Sequence, residues 1–140
     1  MLAFTAGIAG AVQVAVMGRF GEHVGTLEAL AFSLLLSTFI ATVALVAARG
    51  SLSGFGDALR APKWLWIGAA MGAFIVLTIT IAAPKIGVVA VTALLIAGQL
   101  GTAVAIDRWG VFGVERVALS WPRVAGIALL VAGAALTLRR

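Results

Sequence analysis

Five apolar stretches, separated by short charged or glycine-rich connectors, occupy most of this 140-residue chain. They are Met1–Met17, Leu27–Ala48, Trp64–Ala83, Val88–Ile106 and Val124–Leu138. A helix needs about 20 apolar residues to cross the hydrocarbon core of a bilayer, and the three middle stretches reach that length. The first and last are shorter and depend on their flanking residues. The pattern predicts an all-α, polytopic membrane protein: a single domain over 1–140 with five transmembrane helices at about 1–17, 27–48, 64–83, 88–106 and 122–138.

Composition excludes several other classes of protein. Hydrophobic residues make up 63% of the chain and charged residues only 11%, so five spans leave no room for a further soluble domain. Cysteine is absent and histidine occurs once, so we expect no disulfide and no metal centre. The net charge of +5 comes from basic residues at span ends, where they meet lipid headgroups, so we expect no nucleic-acid partner. Without a nucleophile elbow, a metal-ligand cluster or a phosphate loop, we expect neither catalysis nor a cofactor.

An odd number of spans places the two chain ends on opposite sides of the membrane. Basic residues on the two sides differ only by six to four, which is a weak bias. The side of the N-terminus has Arg49, Arg60, Lys63, Arg108, Arg116 and Arg123; the other side has Arg19, Lys85, Arg139 and Arg140. Because a clear excess of Lys and Arg would fix one orientation, this count permits either a cytoplasmic N-terminus or insertion both ways.

The connectors carry turn residues and interfacial anchors. Gly18–Thr26 holds three glycines and mixed charges, which predicts a turn at the membrane surface, and we read the preceding stretch as a retained helix. Arg49–Lys63 is predicted to lie along the interface, and Ala83–Gly87 to form a tight turn. Trp64 and Trp66 then open the third span as headgroup anchors, although Trp66 could also stack on a ligand.

Small residues are frequent within the spans. Gly68 and Gly72 form a small-x-x-x-small pair in the third span, and alanines form a stripe beside Gly126 and Gly133 in the fifth. Such faces let helices approach closely in lipid. They serve either packing within the chain or contact with another subunit.

Polar side chains at membrane depth are the best pointers to function, because each costs free energy without a partner or water. Serine and threonine hydroxyls can return to the carbonyl of the preceding turn, so each alone is ordinarily structural. Gln13 and Gln99 cannot be satisfied so easily, and they line a polar pocket or join helices. No charged residue lies near the middle of a span; Glu28 at the mouth of the second could exchange a proton, but it also suits a helix N-terminus.

The order of motifs resembles the YdcZ-like family of inner-membrane exporters, five-helix members of the drug/metabolite transporter superfamily. The matching segments, strongest from Trp64 to Gly133, are Lys63-Trp64-Leu65-Trp66-Ile67-Gly68, Gly72-Ala73-Phe74, Ala83-Pro84-Lys85-Ile86-Gly87, Ala97-Gly98-Gln99-Leu100 and Asp107-Arg108-Trp109-Gly110-Val111-Phe112-Gly113, with Arg123 and Gly126 also in place. Gln13 and Ser33 match the family pattern in the first two helices, whereas Met17 stands where asparagine is expected. A preference for a substrate or partner therefore does not carry over from that position.

The resemblance implies half of a drug/metabolite transporter, one five-helix unit of an inverted repeat. Such a chain must pair with an oppositely oriented copy or paralogue, as an antiparallel homodimer or heterodimer. We expect it to export a small organic solute across a bacterial inner membrane by alternating access between the halves. The predicted pocket residues are Gln13, Ser33, Phe74 and Gln99, with Trp66 as a weaker candidate, and Gly126 and Gly133 are the predicted dimer contact. The alternatives are a passive dual-topology channel and a non-transporting subunit of a membrane assembly.

Overall fold

The computed structural model describes residues 1–118 and 120–137, and in this part of the chain every regular element is helical. Six α-helices follow one another in the chain: α1 (Leu2–Val24), α2 (Thr26–Arg49), α3 (Ser53–Arg60), α4 (Ile67–Ile86), α5 (Val88–Trp109) and α6 (Trp121–Thr137). Short 3-10 turns, Lys63–Trp66 and Val111–Gly113, precede α4 and follow α5.

Four segments are long and apolar enough to cross a membrane: Leu2–Val24, Thr26–Arg49, Lys63–Ile86 and Val88–Trp109. In the most apolar 18-residue window of each segment, only 6% to 17% of the residues are buried within the protein. Most of the apolar surface of these segments is therefore free to face lipid or another chain. The predicted all-α, multi-pass membrane architecture is therefore confirmed. The described part of α6 has 17 residues, about 25 Å of helix, and its crossing stays a prediction. Residues 138–140, with the two terminal arginines, lie outside the described residues.

The predicted turn at Gly18–Thr26 is wrong, because α1 continues to Val24. Gly25 alone separates α1 from α2, with a positive φ of 103° that favours glycine. The glycines that resemble turn residues instead allow α4 to approach. A Cβ on Gly18 would lie 2.8 Å from the Cβ of Ala83, and one on Gly21 would collide with the Cγ2 of Thr80.

The predicted turn at Ala83–Gly87 is shorter than expected. Pro84 lies inside the last turn of α4, which ends at Ile86, and the chain turns at Gly87, where φ is +85°. Because proline has no backbone N–H, Pro84 cannot donate to the carbonyl four residues earlier, so the last turn of α4 has one bond fewer. Only the glycine of this segment therefore forms the junction.

The connector between α2 and α4 contains a short helix, α3. Leu52, Phe55 and Leu59 recur at helical spacing and are exposed, while Asp57 and Arg60 lie at other positions around the helix. One apolar and one charged face are typical of a helix that lies in the membrane interface. The predicted interfacial position of this connector remains an expectation, now with a helical form.

The chain divides into two compact units, and the boundary falls within α1. One unit is Val16–Pro84; the other combines Met1–Ala15 with the described residues of 85–140. The buried side chains of the first are mostly small or aliphatic: Met17, Ala29, Val76, Ile79, Thr80 and Ala83. Those of the second are Val14, Ala90, Val91 and Ala134. The predicted single domain stays a prediction.

Candidate functional site

The two intramembrane glutamines lie at the midpoints of their helices. Gln13 is eleven residues from each end of α1, and Gln99 is eleven residues from the start of α5 and ten from its end. Because α1 is longer than the first apolar stretch, Gln13 moves from the later part of the span to its centre. A membrane-crossing helix therefore places each amide near the bilayer midplane.

Neither glutamine side chain has a hydrogen-bond partner in the described part of the chain. Both side chains are exposed, and neither forms a hydrogen bond with any residue in 1–118 or 120–137. A primary amide left without a hydrogen-bonding partner in hydrocarbon costs several kcal/mol, on the order of 2–7. Each amide consequently needs water, a solute or another chain.

Three of the intramembrane threonines differ from the glutamines in this respect. Thr38, Thr78 and Thr80 donate their hydroxyls to the carbonyls of Leu34, Phe74 and Val76, at 2.7–2.8 Å. These bonds to the preceding turn are the structural role predicted for them. These three hydroxyls are therefore satisfied, whereas the two amides and the buried Oγ1 of Thr92 on α5 have no hydrogen-bond partner among the described residues.

The other predicted pocket residues belong to the unit Val16–Pro84. Ser33 is half-buried on α2, and Phe74 on α4 is 61% exposed. Trp66 ends the 3-10 turn that precedes α4 and is exposed, a position typical of a headgroup anchor. Gln13 and Gln99 belong to the second unit. The pocket assignment of all five stays a prediction.

Met17 and Glu28, which are not among the predicted pocket residues, occupy positions that local structure explains. Met17 is 5% exposed in the core of its unit, so it packs there as an apolar residue. Glu28 lies in the first turn of α2, and its carboxylate occupies the space where a Cβ on Gly25 would be. Its position therefore agrees with an acidic residue at a helix N-terminus.

The predicted contact glycines on α6 have room around them. No atom lies within 4 Å of a Cβ built on Gly126 or Gly133, so the fold of the single chain does not require glycine at either position. Gly133 is exposed and Gly126 is half-buried. The dimer-contact role of both stays a prediction.

A polar contact between α5 and α6 was missed by sequence reasoning. Nη2 of Arg123 forms an ion pair with Oδ2 of Asp107 at 3.2 Å, and the backbone N–H of Val117 donates to the Asp107 carbonyl at 2.9 Å. These contacts tie the connector and the start of α6 to the end of α5. The fifteen residues between the two charges leave no local spacing that predicts the pair.

The same ion pair closes one end of a half-open groove of about 280 Å³ between α5 and α6. Each helix contributes one face, at the spacing i, i+3, i+4, i+7. The lining residues are Leu100, Ala103, Val104, Asp107, Arg123, Gly126, Ile127 and Leu130. Apart from the ion pair, the groove is apolar.

These features define a multi-pass helical membrane protein whose mid-membrane amides are unsatisfied within the single chain. The chain matches a family model described as "Putative inner membrane exporter, YdcZ" over residues 1–136, and it belongs to that family. It is therefore an inner-membrane protein of a transporter family rather than an enzyme family. No curated protein and no solved structure was found to match the chain.

Proposed function

We propose that the protein exports a small organic solute as an antiparallel dimer, by alternating access. Family membership supports export, and the lack of satisfied polar contacts for the central amides supports a second chain. In inverted-repeat transporters the substrate site lies near the bilayer midplane between the two repeats. A chain of the size of one repeat would then need an oppositely oriented mate to enclose that site.

The observation that carries this proposal is the position of the two glutamines. Gln13 and Gln99 lie at the centres of α1 and α5, exposed and without a hydrogen bond among the described residues. An amide offers two donors and two acceptors, which suits a neutral or zwitterionic polar solute better than an inorganic ion. In the dimer, four such amides would come from two copies, and rocking of the copies would expose them alternately to the two sides.

The other predicted pocket residues have supporting roles in this proposal. Phe74 offers an exposed aromatic face for the apolar part of the solute, and Ser33 offers a hydroxyl. Trp66 lies at the end of its span, where it would meet a solute at entry or exit. An apolar wall with a few polar groups is the usual composition of a small-molecule site.

Reconstitution into liposomes tests the function. A panel of small organic solutes to which the protein confers resistance in cells provides the probes, and counterflow is measured for each. Saturable flux that is accelerated by solute on the opposite side supports alternating access. Flux that does not saturate and shows no countertransport would indicate a channel, and no flux would indicate a non-transporting subunit.

We expect Gly133→Leu to weaken dimerisation at least tenfold while preserving the fold of the single chain. The leucine has room on α6 but would intrude on a closely packed mate. Dilution series in detergent, measured by light scattering, give the dimer fraction. Gly7→Leu on α1 is the matched control, because a Cβ there also meets nothing within 4 Å. Wild-type dimerisation of Gly133→Leu would remove this contact from the proposal.

We expect a C-terminal reporter to be found on both sides of the membrane, because the basic residues give little orientation bias. Fusions to one reporter active only in the cytoplasm and one active only outside it measure the two populations. Ser51→Arg, before α3, with Ser53→Arg, at its first residue, adds two charges at exposed positions on one side and should shift the distribution towards one orientation. A one-sided wild type would contradict dual insertion and leave a paralogous mate as the requirement.

A further inference from the structure

The groove between α5 and α6 spans about two thirds of the hydrocarbon of one membrane leaflet. Its polar end is Asp107 with Arg123. Its apolar end is Leu100, seven residues before Asp107 on α5, with Leu130, seven residues after Arg123 on α6. Seven residues of α-helix span about 10 Å. One leaflet contributes half of a hydrocarbon core of about 30 Å, so the groove covers most of one leaflet and ends near the midplane.

Two tryptophans mark the level of the polar end. Trp109 is the last residue of α5 and Trp121 the first of α6, and they are 67% and 79% exposed. Indole rings favour the boundary between hydrocarbon and headgroups. The ion pair lies two residues inside each of them, on the hydrocarbon side of that boundary, and the long Arg123 side chain can extend outward to a lipid phosphate.

The charges at this end form a complementary pair with unused hydrogen-bonding capacity. Arg123 and Asp107 share one contact of 3.2 Å, and their side chains are 49% and 26% exposed. A guanidinium has five N–H donors and a carboxylate about four acceptor sites, so both can bind further groups. The pair can thus bind an anion on Arg123 and an ammonium on Asp107 at the same time.

The volume and the apolar walls of the groove indicate which apolar group it can bind. A volume of about 280 Å³ is at the lower limit of pockets for drug-sized molecules, roughly 300–1,000 Å³, and the walls between the two ends carry only apolar side chains or glycine. A single acyl chain fits this shape better than a compact polar solute. A groove on a helix pair in a bilayer is also continuously presented with such chains.

We propose that this groove is a binding site for a phospholipid that has a phosphate and a primary ammonium in one headgroup, as in phosphatidylethanolamine. The phosphate binds Arg123, the ammonium donates to Asp107, and one acyl chain lies along Val104 and Ile127. A trimethylated ammonium has no N–H to donate, and an anionic headgroup without an amine meets the Asp107 carboxylate unfavourably. The groove shares Gly126 with the predicted dimer contact, and Leu100 at its apolar end is next in sequence to Gln99 of the proposed pocket, but lipid binding there does not depend on the export activity.

Native mass spectrometry of the purified full-length protein tests this site. Dioleoyl phosphatidylethanolamine, phosphatidylglycerol and phosphatidylcholine are compared at equal concentration, so that only the headgroup differs. We expect at least threefold greater occupancy by phosphatidylethanolamine, with one site per chain. Equal occupancy by the three lipids would overturn the proposal.

Variants of Asp107 and Arg123 test which headgroup atoms each of these residues binds. Asp107→Asn frees Arg123 from its carboxylate, so the preference should move to the anionic phosphatidylglycerol. Arg123→Gln should lower phosphatidylethanolamine occupancy to the phosphatidylcholine value. Circular dichroism and the dimer fraction in the same samples show whether each variant remains folded and assembled. A preference for phosphatidylethanolamine that persists in Asp107→Asn would overturn the assignment.

A groove-filling variant tests the acyl-chain position. Ala103→Phe should reduce bound lipid of all three kinds at this site by at least threefold, because the ring occupies the groove. Ala31→Phe on α2 makes the same change at an exposed alanine of the other unit and should bind lipid as the wild type does. Equal lipid binding by the two variants would contradict a site in this groove.

Discussion

Gln13→Leu and Gln99→Leu are each expected to reduce solute flux in liposomes by about 10- to 100-fold while leaving dimerisation intact. Losing a hydrogen-bonding partner for a desolvated polar group of the solute costs about 1–3 kcal/mol, and 1.4 kcal/mol corresponds to a factor of ten. Leucine is at least as compatible with the membrane as glutamine, so insertion should not suffer. Counterflow of the solute that the wild type transports measures the effect.

Thr38→Val is the matched control for these variants. It also replaces a polar side chain within a span, but the Thr38 hydroxyl already donates to its own helix at Leu34, so it has no need of a solute. We expect near-normal flux from it. If both glutamine variants transported as fast as Thr38→Val, the amides would not line the path, and if they lost dimerisation, they would join helices instead.

Gly21→Ala is expected to destabilise the protein by about 1–3 kcal/mol, the range for overpacking a close contact. The new Cβ would meet the Cγ2 of Thr80, a residue 2% exposed whose hydroxyl is held by the Val76 carbonyl. Since alanine favours a helix over glycine by about 1 kcal/mol, the same change in open space should be neutral or stabilising. Gly7→Ala, also on α1, provides that comparison.

A second substitution can restore the stability lost in Gly21→Ala. Thr80→Ser removes Cγ2 and keeps the hydroxyl, so the double variant should recover most of the loss because the next atoms around the new Cβ lie at 3.6 Å or more. Thermal unfolding in one detergent, followed by circular dichroism, is measured for the wild type, Gly21→Ala, Gly7→Ala and the double variant. A double variant no more stable than Gly21→Ala would show that the loss arises elsewhere.

The spans could be predicted because membrane crossing depends on local hydropathy, and the four long helices follow the first four apolar stretches. The end of α1 could not be predicted. Gly18 and Gly21 have the composition of a turn, and only the approach of Ala83 and Thr80, more than fifty residues away, gives them a helical packing role. Whether a glycine serves a turn or a close helix contact therefore depends on residues that are distant in the sequence.

In the candidate site, too, local sequence predicted some features, while others depended on contacts between distant residues. The two glutamines could be chosen from the sequence because polar residues in apolar stretches are locally evident. Their place at the midpoints of α1 and α5 required the helix ends, which moved for α1 from Met17 to Val24. The pairing of Asp107 with Arg123 required the packing of α5 against α6, which no periodicity within either helix encodes.

The single-residue junctions at Gly25 and Gly87 make the two faces of the membrane chemically unequal. Four successive membrane crossings by the predicted spans would place both junctions on one face, and neither junction leaves an extended segment for a protease to bind. The other face has the segments between α2 and α4 and between α5 and α6, with Arg49, Arg60, Lys63, Arg108 and Arg116. Trypsin added to intact spheroplasts should therefore cut at Arg49, Arg60 or Lys63 only in molecules whose arginine-rich face points outwards, and the fraction cut there is a label-free record of orientation.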